Sequence, residues 1–324
     1  MNAGEVLYLS AEDVSALGLT MAEIIAALET MFVEKGEGRV EMPPKPGIHT
    51  RPDAFIHAMP AYIPSLEAAG MKWVSGYPDN RDKGLPYISG LVILNDPDSG
   101  VPISVMDATW ITAMRTGAAT AVAAKYLART DSRSVGILAC GVQGRTNLEA
   151  LASVFDLERA RAYDIDIRAA ERFAAEMGDR HGLAVEVVKG AREAVNEMDL
   201  VVTSGPILKN PQPVIEAGWL APGAFGCALD FDSYWSGQAL DEVDKLATDD
   251  TGQMEYYRQV GYFRATPRPY ADLGEIVTGA SPGRESAEER VVCMNLGLAL
   301  EDMVTAKLIY GRALSDGIGT LLPL

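Results

Sequence analysis

From Ser134 to Asp250 the sequence alternates between short apolar runs and segments of helical periodicity, and this alternation constrains the fold more than any other feature. SVGILACG is an apolar strand, GRTNLEALASVF a helix, RARAYDID a strand and RAAERFAAEMGDRHG a helix. AVEVV, AREAVNEM and DLVVTSG continue the series, and APGAFGCALDFD and KLATDD add two further strands. Parallel strands need crossover connections, and helices supply them on both faces of the sheet. The expected fold class is therefore α/β, with a doubly wound parallel sheet of the Rossmann type.

The turn after the first of these strands reads Ala139-Cys140-Gly141-Val142-Gln143-Gly144-Arg145. It matches the dinucleotide fingerprint G-x-G-x-x-G except that Ala139 replaces the first glycine. The second glycine lets the backbone approach a pyrophosphate, and the third lets the helix pack closely on the strand. Asp164 follows Gly144 by 20 residues, at the end of the next strand. A carboxylate there accepts hydrogen bonds from an adenosine ribose and repels a 2′-phosphate, so the expected cofactor is NAD(H). Asp166 reads as the N-cap of the following helix. Arg145 can be read as a phosphate contact or as a solvated charge.

The flanking segments differ in texture. Ser10 and Thr20 read as helix N-caps, and Thr20-Met-Ala-Glu23 is a capping box before IIAALETMFVEKG. Residues 41–100 carry many Pro and Gly between β-like runs, and Asn95-Asp-Pro-Asp-Ser-Gly100 reads as a hairpin turn. An Ala/Thr-rich helix follows over Asp107–Arg129. The last helix, NLGLALEDMVTAKLIYGRALSDG, lies beyond the alternating unit and is expected to pack back on the first part of the chain. The expected organisation is a discontinuous α+β substrate and dimerisation domain, residues 1–118 and 296–324, around an NAD-binding domain, residues 119–295.

The net charge of −17, from 28 basic and 45 acidic residues, excludes most phosphate-backbone and anionic-lipid binders. Cys140, Cys227 and Cys293 are widely spaced, which disfavours structural zinc or a disulfide framework, and no metal is expected. The opening MNAGEVLYLS lacks the pattern of a signal peptide, and no apolar run is long enough for a membrane span, so a cytoplasmic location is expected.

Several motifs then combine in one order: Met59-Pro-Ala-Tyr62, Gly70-Met-Lys72, Pro78-Asp-Asn80, Gly84-Leu-Pro86, Ala113-Met-Arg115-Thr116-Gly-Ala118, the Gly141-Val-Gln143 turn, and Gly283-Arg284. The chain thereby resembles the ornithine cyclodeaminase/mu-crystallin family, which includes archaeal-type alanine dehydrogenases and ketimine reductases. The resemblance implies a homodimer built through the first domain, a nicotinamide cofactor and an amino or imino acid bound in the cleft between the domains. It implies that Lys72 is the active-site lysine, that Arg115 clamps the substrate α-carboxylate, and that Thr116 contacts a cofactor phosphate. Arg115, Thr116, Gly141, Val142, Gln143, Gly144, Asp164, Ser204 and Asn295 are the expected cofactor contacts. Lys45, His57, Lys72, Arg115 and Leu296 are the expected substrate contacts.

The family's catalytic aspartate ends a strand in a Gly-small-Asp segment. Counting nine residues from Gly223 places Asp232 there, with Asp230 in place of a glycine and Cys227 in place of an asparagine. Asp232 is the expected acid/base, with Asp230 as the alternative. A lysine that often follows the aspartate is absent, and Asn295-Leu296 replace a Ser-Val or Thr-Val pair near the nicotinamide.

The implied chemistry is hydride transfer at an amino acid α-carbon, by an imino acid reductase or amino acid dehydrogenase. The alternatives are an ornithine cyclodeaminase and a non-catalytic ligand-binding protein. Lys45, His49, Arg51, His57, Lys72 and Arg81 form a cationic segment that suggests an anionic substrate, such as iminosuccinate reduced to aspartate. Pyruvate with ammonia, giving alanine, fits a smaller pocket.

Overall fold

The computed structural model describes residues 4–324, apart from the side chains of Arg81 and Asp82. The chain begins with β1 (Glu5–Leu9), α1 (Ala11–Ala16), α2 (Met21–Gly36), β2 (Gly47–Ile48), β3 (Phe55–Ile63), β4 (Ala68–Gly76), β5 (Ile88–Asn95) and β6 (Pro102–Asp107). Helix α3 (Thr109–Leu127) leads into β7 (Ser134–Leu138), α4 (Val142–Ala152), β8 (Arg159–Tyr163), α5 (Ile167–His181), β9 (Ala184–Val187), α6 (Ala191–Val195) and β10 (Leu200–Thr203). Then come β11 (Phe225–Ala228), α7 (Gly237–Asp241), β12 (Lys245–Thr248), α8 (Thr251–Gln259), β13 (Ala271–Asp272), α9 (Leu273–Thr278) and β14 (Val291–Met294). Helix α10 (Ala299–Asp316) and β15 (Thr320–Pro323) complete the chain. Among the described residues no helix is long and apolar enough to cross a membrane.

Two compact units result: the chain through Arg115 together with Leu298–Leu324, and Thr116–Gly297. The first holds a mixed seven-stranded sheet, ordered β15-β1-β6-β5-β4-β3-β2, in which only β1 and β6 run parallel. The hairpin between β5 and β6 closes at Asp96, whose side chain accepts from the Ser99 N–H as expected for an Asx turn. Ser10 and Thr20 cap α1 and α2, each in a reciprocal capping box. Helix α10 lies over β3, β4 and β5 and beside α2. The expected return of this helix to the first part of the chain is therefore observed, although it begins at Ala299 rather than at Asn295.

The second unit holds an eight-stranded sheet, ordered β13-β12-β14-β11-β10-β7-β8-β9, and every neighbouring pair is parallel. Strands β7, β10, β11, β12 and β14 are buried along their whole length, which explains why they read as continuous apolar runs rather than as alternations. The α/β class with a doubly wound parallel sheet and an added mixed-sheet unit is the one the sequence indicates. Strands β1 and β15 were not legible. They are short end segments whose pairing partners lie at the opposite terminus.

Candidate active site

In the first unit, the inward positions of β4 are Ala68, Gly70, Lys72 and Val74. Trp73, between them, points outward and is 44% exposed. This inverts the usual pattern, because a lysine occupies a core position and a tryptophan the opposite face. Lys72 is almost fully buried. Its Nζ donates to Asp302 Oδ1 at 2.7 Å and lies 3.4 Å from the Thr112 hydroxyl. Arg115 comes from the same turn region of α3 as Thr112 and is also buried. Its Nη1 donates to Glu301 Oε2 at 2.6 Å, and its Nε lies 3.2 Å from the same Asp302 Oδ1. Glu301 and Asp302 occupy the first turn of α10 and have no exposed surface. Oxygens Glu301 Oε1 and Asp302 Oδ2 have no hydrogen-bond partner within the protein.

Burial first, and then the neighbouring Arg115 charge, push the Lys72 ammonium down to about 7, while Asp302 opposes the shift. Burial also raises the Glu301 carboxyl, against the pull of Arg115. Lys45 is buried near enough to act on both Lys72 and His57. His57 stacks on Phe55 with ring centroids 4.3 Å apart, and burial with the Lys45, His49 and Lys72 charges lowers it to about 3. It is therefore a neutral imidazole at physiological pH. His49 and Arg51 are exposed, and the Arg81 side chain lies outside the described residues.

In the second unit, the turn between β7 and α4 has the form the fingerprint requires. Ala139 adopts φ +77°, the left-handed conformation that a glycine makes easily and an alanine does not. A Cβ on Gly144 would stand 2.6 Å from the Ala139 carbonyl oxygen, so the third glycine is needed for close packing. Gly141 caps α4 without a side chain, and the space where its Cβ would project is open to 4 Å. Asp164 Oδ2 accepts the Cys140 N–H at 2.8 Å, and its Oδ1 accepts the Asp166 N–H at 2.9 Å. Asp166 is the N-cap of α5, as read from the sequence.

Three neighbours brace this turn. Arg145 donates to the carbonyls of Cys140 and Gly141 and pairs with Glu176, so its guanidinium holds the turn from within the protein. The Ser204 hydroxyl donates to the Ala139 carbonyl at 3.0 Å. Gln143 accepts at its backbone carbonyl from Asn147 Nδ2, and Val142 is 62% exposed. Thr116 is buried in α3, and Leu296 belongs to the apolar cluster that includes Met294 and Phe231. Asn295 accepts from the Cys293 thiol, while its buried Nδ2 has no partner. An open glycine, an orphaned amide donor and a carboxylate at the end of β8 fit a dinucleotide whose ends are a ribose diol and a carboxamide.

The two aspartates after β11 differ in what holds them. Asp230 Oδ1 accepts the Thr203 hydroxyl at 2.8 Å and Oδ2 accepts the Gly205 N–H at 3.0 Å, while Trp235 Nε1 donates to the same Thr203 oxygen. Burial raises Asp230 to about 7. Asp232 accepts the Thr266 hydroxyl at Oδ2, at 2.9 Å, and its buried Oδ1 has no partner. Burial raises Asp232 also, against the Thr266 hydrogen bond. Phe231 between them has φ +58°, so the two carboxylates flank a strained residue.

Comparisons with known proteins show the family. The model of the ornithine cyclodeaminase/mu-crystallin family matches residues 5–317. The chain belongs to this family. It is 37% identical to an alanine dehydrogenase of Archaeoglobus fulgidus, over 98% of each chain. A solved Δ1-pyrroline-2-carboxylate reductase of Thermococcus litoralis, in complex with NADH and L-proline, superposes with a TM-score of 0.89 at 36% identity, covering 97% of this chain and 99% of the other. A solved archaeal alanine dehydrogenase dimer with bound NAD gives 0.88 at 36% identity, over 99% of each.

In this member of the ornithine cyclodeaminase/mu-crystallin family, sequence reasoning missed Glu301 and Asp302, the partners of Lys72 and Arg115. A signal was present. The first two turns of α10 are buried on every side, and two adjacent acids in such a stretch require buried counter-charges. Acids in a first helical turn are also favoured by the helix dipole, which masked that signal. Thr112, Thr203 and Thr266 were missed because a single hydroxyl leaves no pattern.

Proposed function

We infer that this chain is an NAD(H)-dependent oxidoreductase acting on the C–N bond at the α-carbon of a monocarboxylic imino or amino acid. Family membership and the alanine dehydrogenase and pyrroline-2-carboxylate reductase relatives support the reaction class. One observation carries the substrate class. The buried cations Lys72 and Arg115 are matched one for one by the buried carboxylates Glu301 and Asp302. One substrate carboxylate adds a single negative charge to this balanced cluster, whereas a second would add another without compensation. His57 is neutral and adds nothing. We therefore favour pyruvate with ammonia, or a cyclic imine such as Δ1-pyrroline-2-carboxylate, over iminosuccinate.

The residues divide the work. The second unit binds the cofactor, with Gly141, Gln143 and Gly144 at the phosphates, Asp164 at the ribose and Asn295 at the carboxamide. The nicotinamide, when bound, supplies or accepts the hydride at the substrate α-carbon. Arg115 and Lys72 hold the carboxylate and fix the orientation of the α-carbon. Asp232 gives or takes the proton at nitrogen, because its Oδ1 is uncommitted and burial keeps it protonated closer to neutrality than an ordinary carboxylate. Asp230, with both oxygens committed, holds the loop after β10. The chain forms a homodimer through the outer face of the seven-stranded sheet.

The test is NADH oxidation by the purified protein with ammonia and pyruvate, with ammonia and oxaloacetate, and with Δ1-pyrroline-2-carboxylate. L-ornithine with NAD+ is assayed in parallel for ammonia release. Turnover of a monocarboxylate at least about tenfold above the dicarboxylate is expected, a difference of about 1.4 kcal/mol. Preference for oxaloacetate would refute the charge argument, and ammonia from ornithine without net NADH change would make the chain a cyclodeaminase. Asp232→Asn is expected to lower kcat about 10²- to 10⁴-fold with NADH binding intact. Unchanged kcat would remove Asp232 from the chemistry.

A further inference from the structure

We propose that Asp302 is a positioning residue that sets the spacing of Lys72 and Arg115 through a single shared oxygen and keeps Lys72 cationic for the substrate carboxylate. The proposal rests on the reading of Lys72 and Arg115 as the carboxylate clamp. Its ground is geometric. Asp302 Oδ1 accepts the Lys72 ammonium at 2.7 Å and lies 3.2 Å from Arg115 Nε, and all three side chains are nearly or fully removed from solvent. Two cations brought together in a dry environment repel strongly, and an anion common to both lowers that repulsion and fixes their separation. Glu301 differs, because it meets Arg115 alone.

The groups facing Lys72 come from four directions. Lys45 approaches from the segment before β2, His57 from β3, Arg115 and the Thr112 hydroxyl from α3, and Asp302 from α10. Of these, Asp302 is the one carboxylate in direct contact with Nζ among the described residues, and Arg115 and Lys45 both disfavour the charge. The sign follows. Lys72 is cationic below its pKa and holds the carboxylate there, and this hold is lost as pH rises through it. Removing the Asp302 charge moves that loss to lower pH. Asp302 therefore adjusts substrate affinity at neutral pH without touching the substrate.

The experiment is the pH profile of kcat/KM for the Asp302→Asn and Glu301→Gln variants, with NADH affinity measured by fluorescence. Asp302→Asn is expected to shift the alkaline limb of kcat/KM to lower pH by about one unit. At neutral pH this raises KM on the order of tenfold, while NADH affinity is retained. Glu301→Gln is expected to raise KM without moving the limb. An unmoved limb in Asp302→Asn, or an equal shift in both variants, would overturn the proposal. If the asparagine variant does not fold, Asp302→Glu keeps the charge but displaces the shared oxygen. It is expected to raise KM and leave the limb in place, and an unchanged KM would overturn the proposal equally. Lys72→Ala separates the two levels. Unimpaired KM in that variant would retire the clamp itself, whereas an unmoved limb in Asp302→Asn with a defective Lys72→Ala retires only the role of Asp302.

Discussion

Ala139 shows how much one residue can reveal. The sequence places it where the fingerprint has a glycine, and the structure confirms the conformation that makes the glycine useful, with φ +77°. An L-residue in that region costs about 1–2 kcal/mol, part of which a glycine returns as greater freedom in the unfolded chain. Ala139→Gly is accordingly expected to stabilise the protein by about 1 kcal/mol, read from the denaturant midpoint at unchanged slope. Loss of stability would mean that the alanine methyl group makes contacts worth more than the strain. The conformation is held by the hydroxyl of Ser204 on the Ala139 carbonyl and by Arg145 on the two carbonyls that follow. Asp166 was legible because helix caps are local features. Asp230 and Asp232 were harder to separate, because their difference lies in partners 25 to 34 residues away.

At the scale of elements, the pairing of β7 with α4 makes the glycine turn and β4 carries the buried lysine. Helix α4 begins directly after Gly141, and its third residue, Gly144, lies against the Ala139 carbonyl. Gly144→Ala puts a methyl group at 2.6 Å from a backbone oxygen that cannot rotate away, so the start of α4 must shift. A loss of NADH affinity of about tenfold or more is expected, consistent with an overpacking cost of about 1–3 kcal/mol, and fluorescence titration measures it. Unchanged affinity would show that the turn absorbs the methyl group elsewhere. Strand β4 illustrates the limits of pattern reading. Its inward lysine and outward tryptophan make sense only once Asp302 and Arg115 are seen on the inner side.

The whole molecule explains the outer side. Tyr8, Trp73, Leu91 and Leu322 keep 38–44% of their surface exposed, and Trp73 and Leu91 are direct cross-strand partners in the same sheet. A broad apolar sheet face calls for a cover, and a second copy of the same face is self-complementary about a two-fold axis. The Trp73→Asp, Leu91→Asp double variant is expected to run at half the particle mass of the wild type in gel filtration coupled to light scattering. A wild-type particle that is already monomeric, or a double variant that remains dimeric, would place the contact elsewhere.

The sequence by itself determined the parallel layering, the glycine turn and the helix caps, because each depends on periodicity and turn chemistry within a few adjacent residues. Only the tertiary structure decided how the buried charges pair. Lys72 and Asp302 stand 230 positions apart, and nothing local in either segment specifies the other. Their partnership follows from the cost of leaving a charge unpaired away from water, which is felt only when α10 closes over β4.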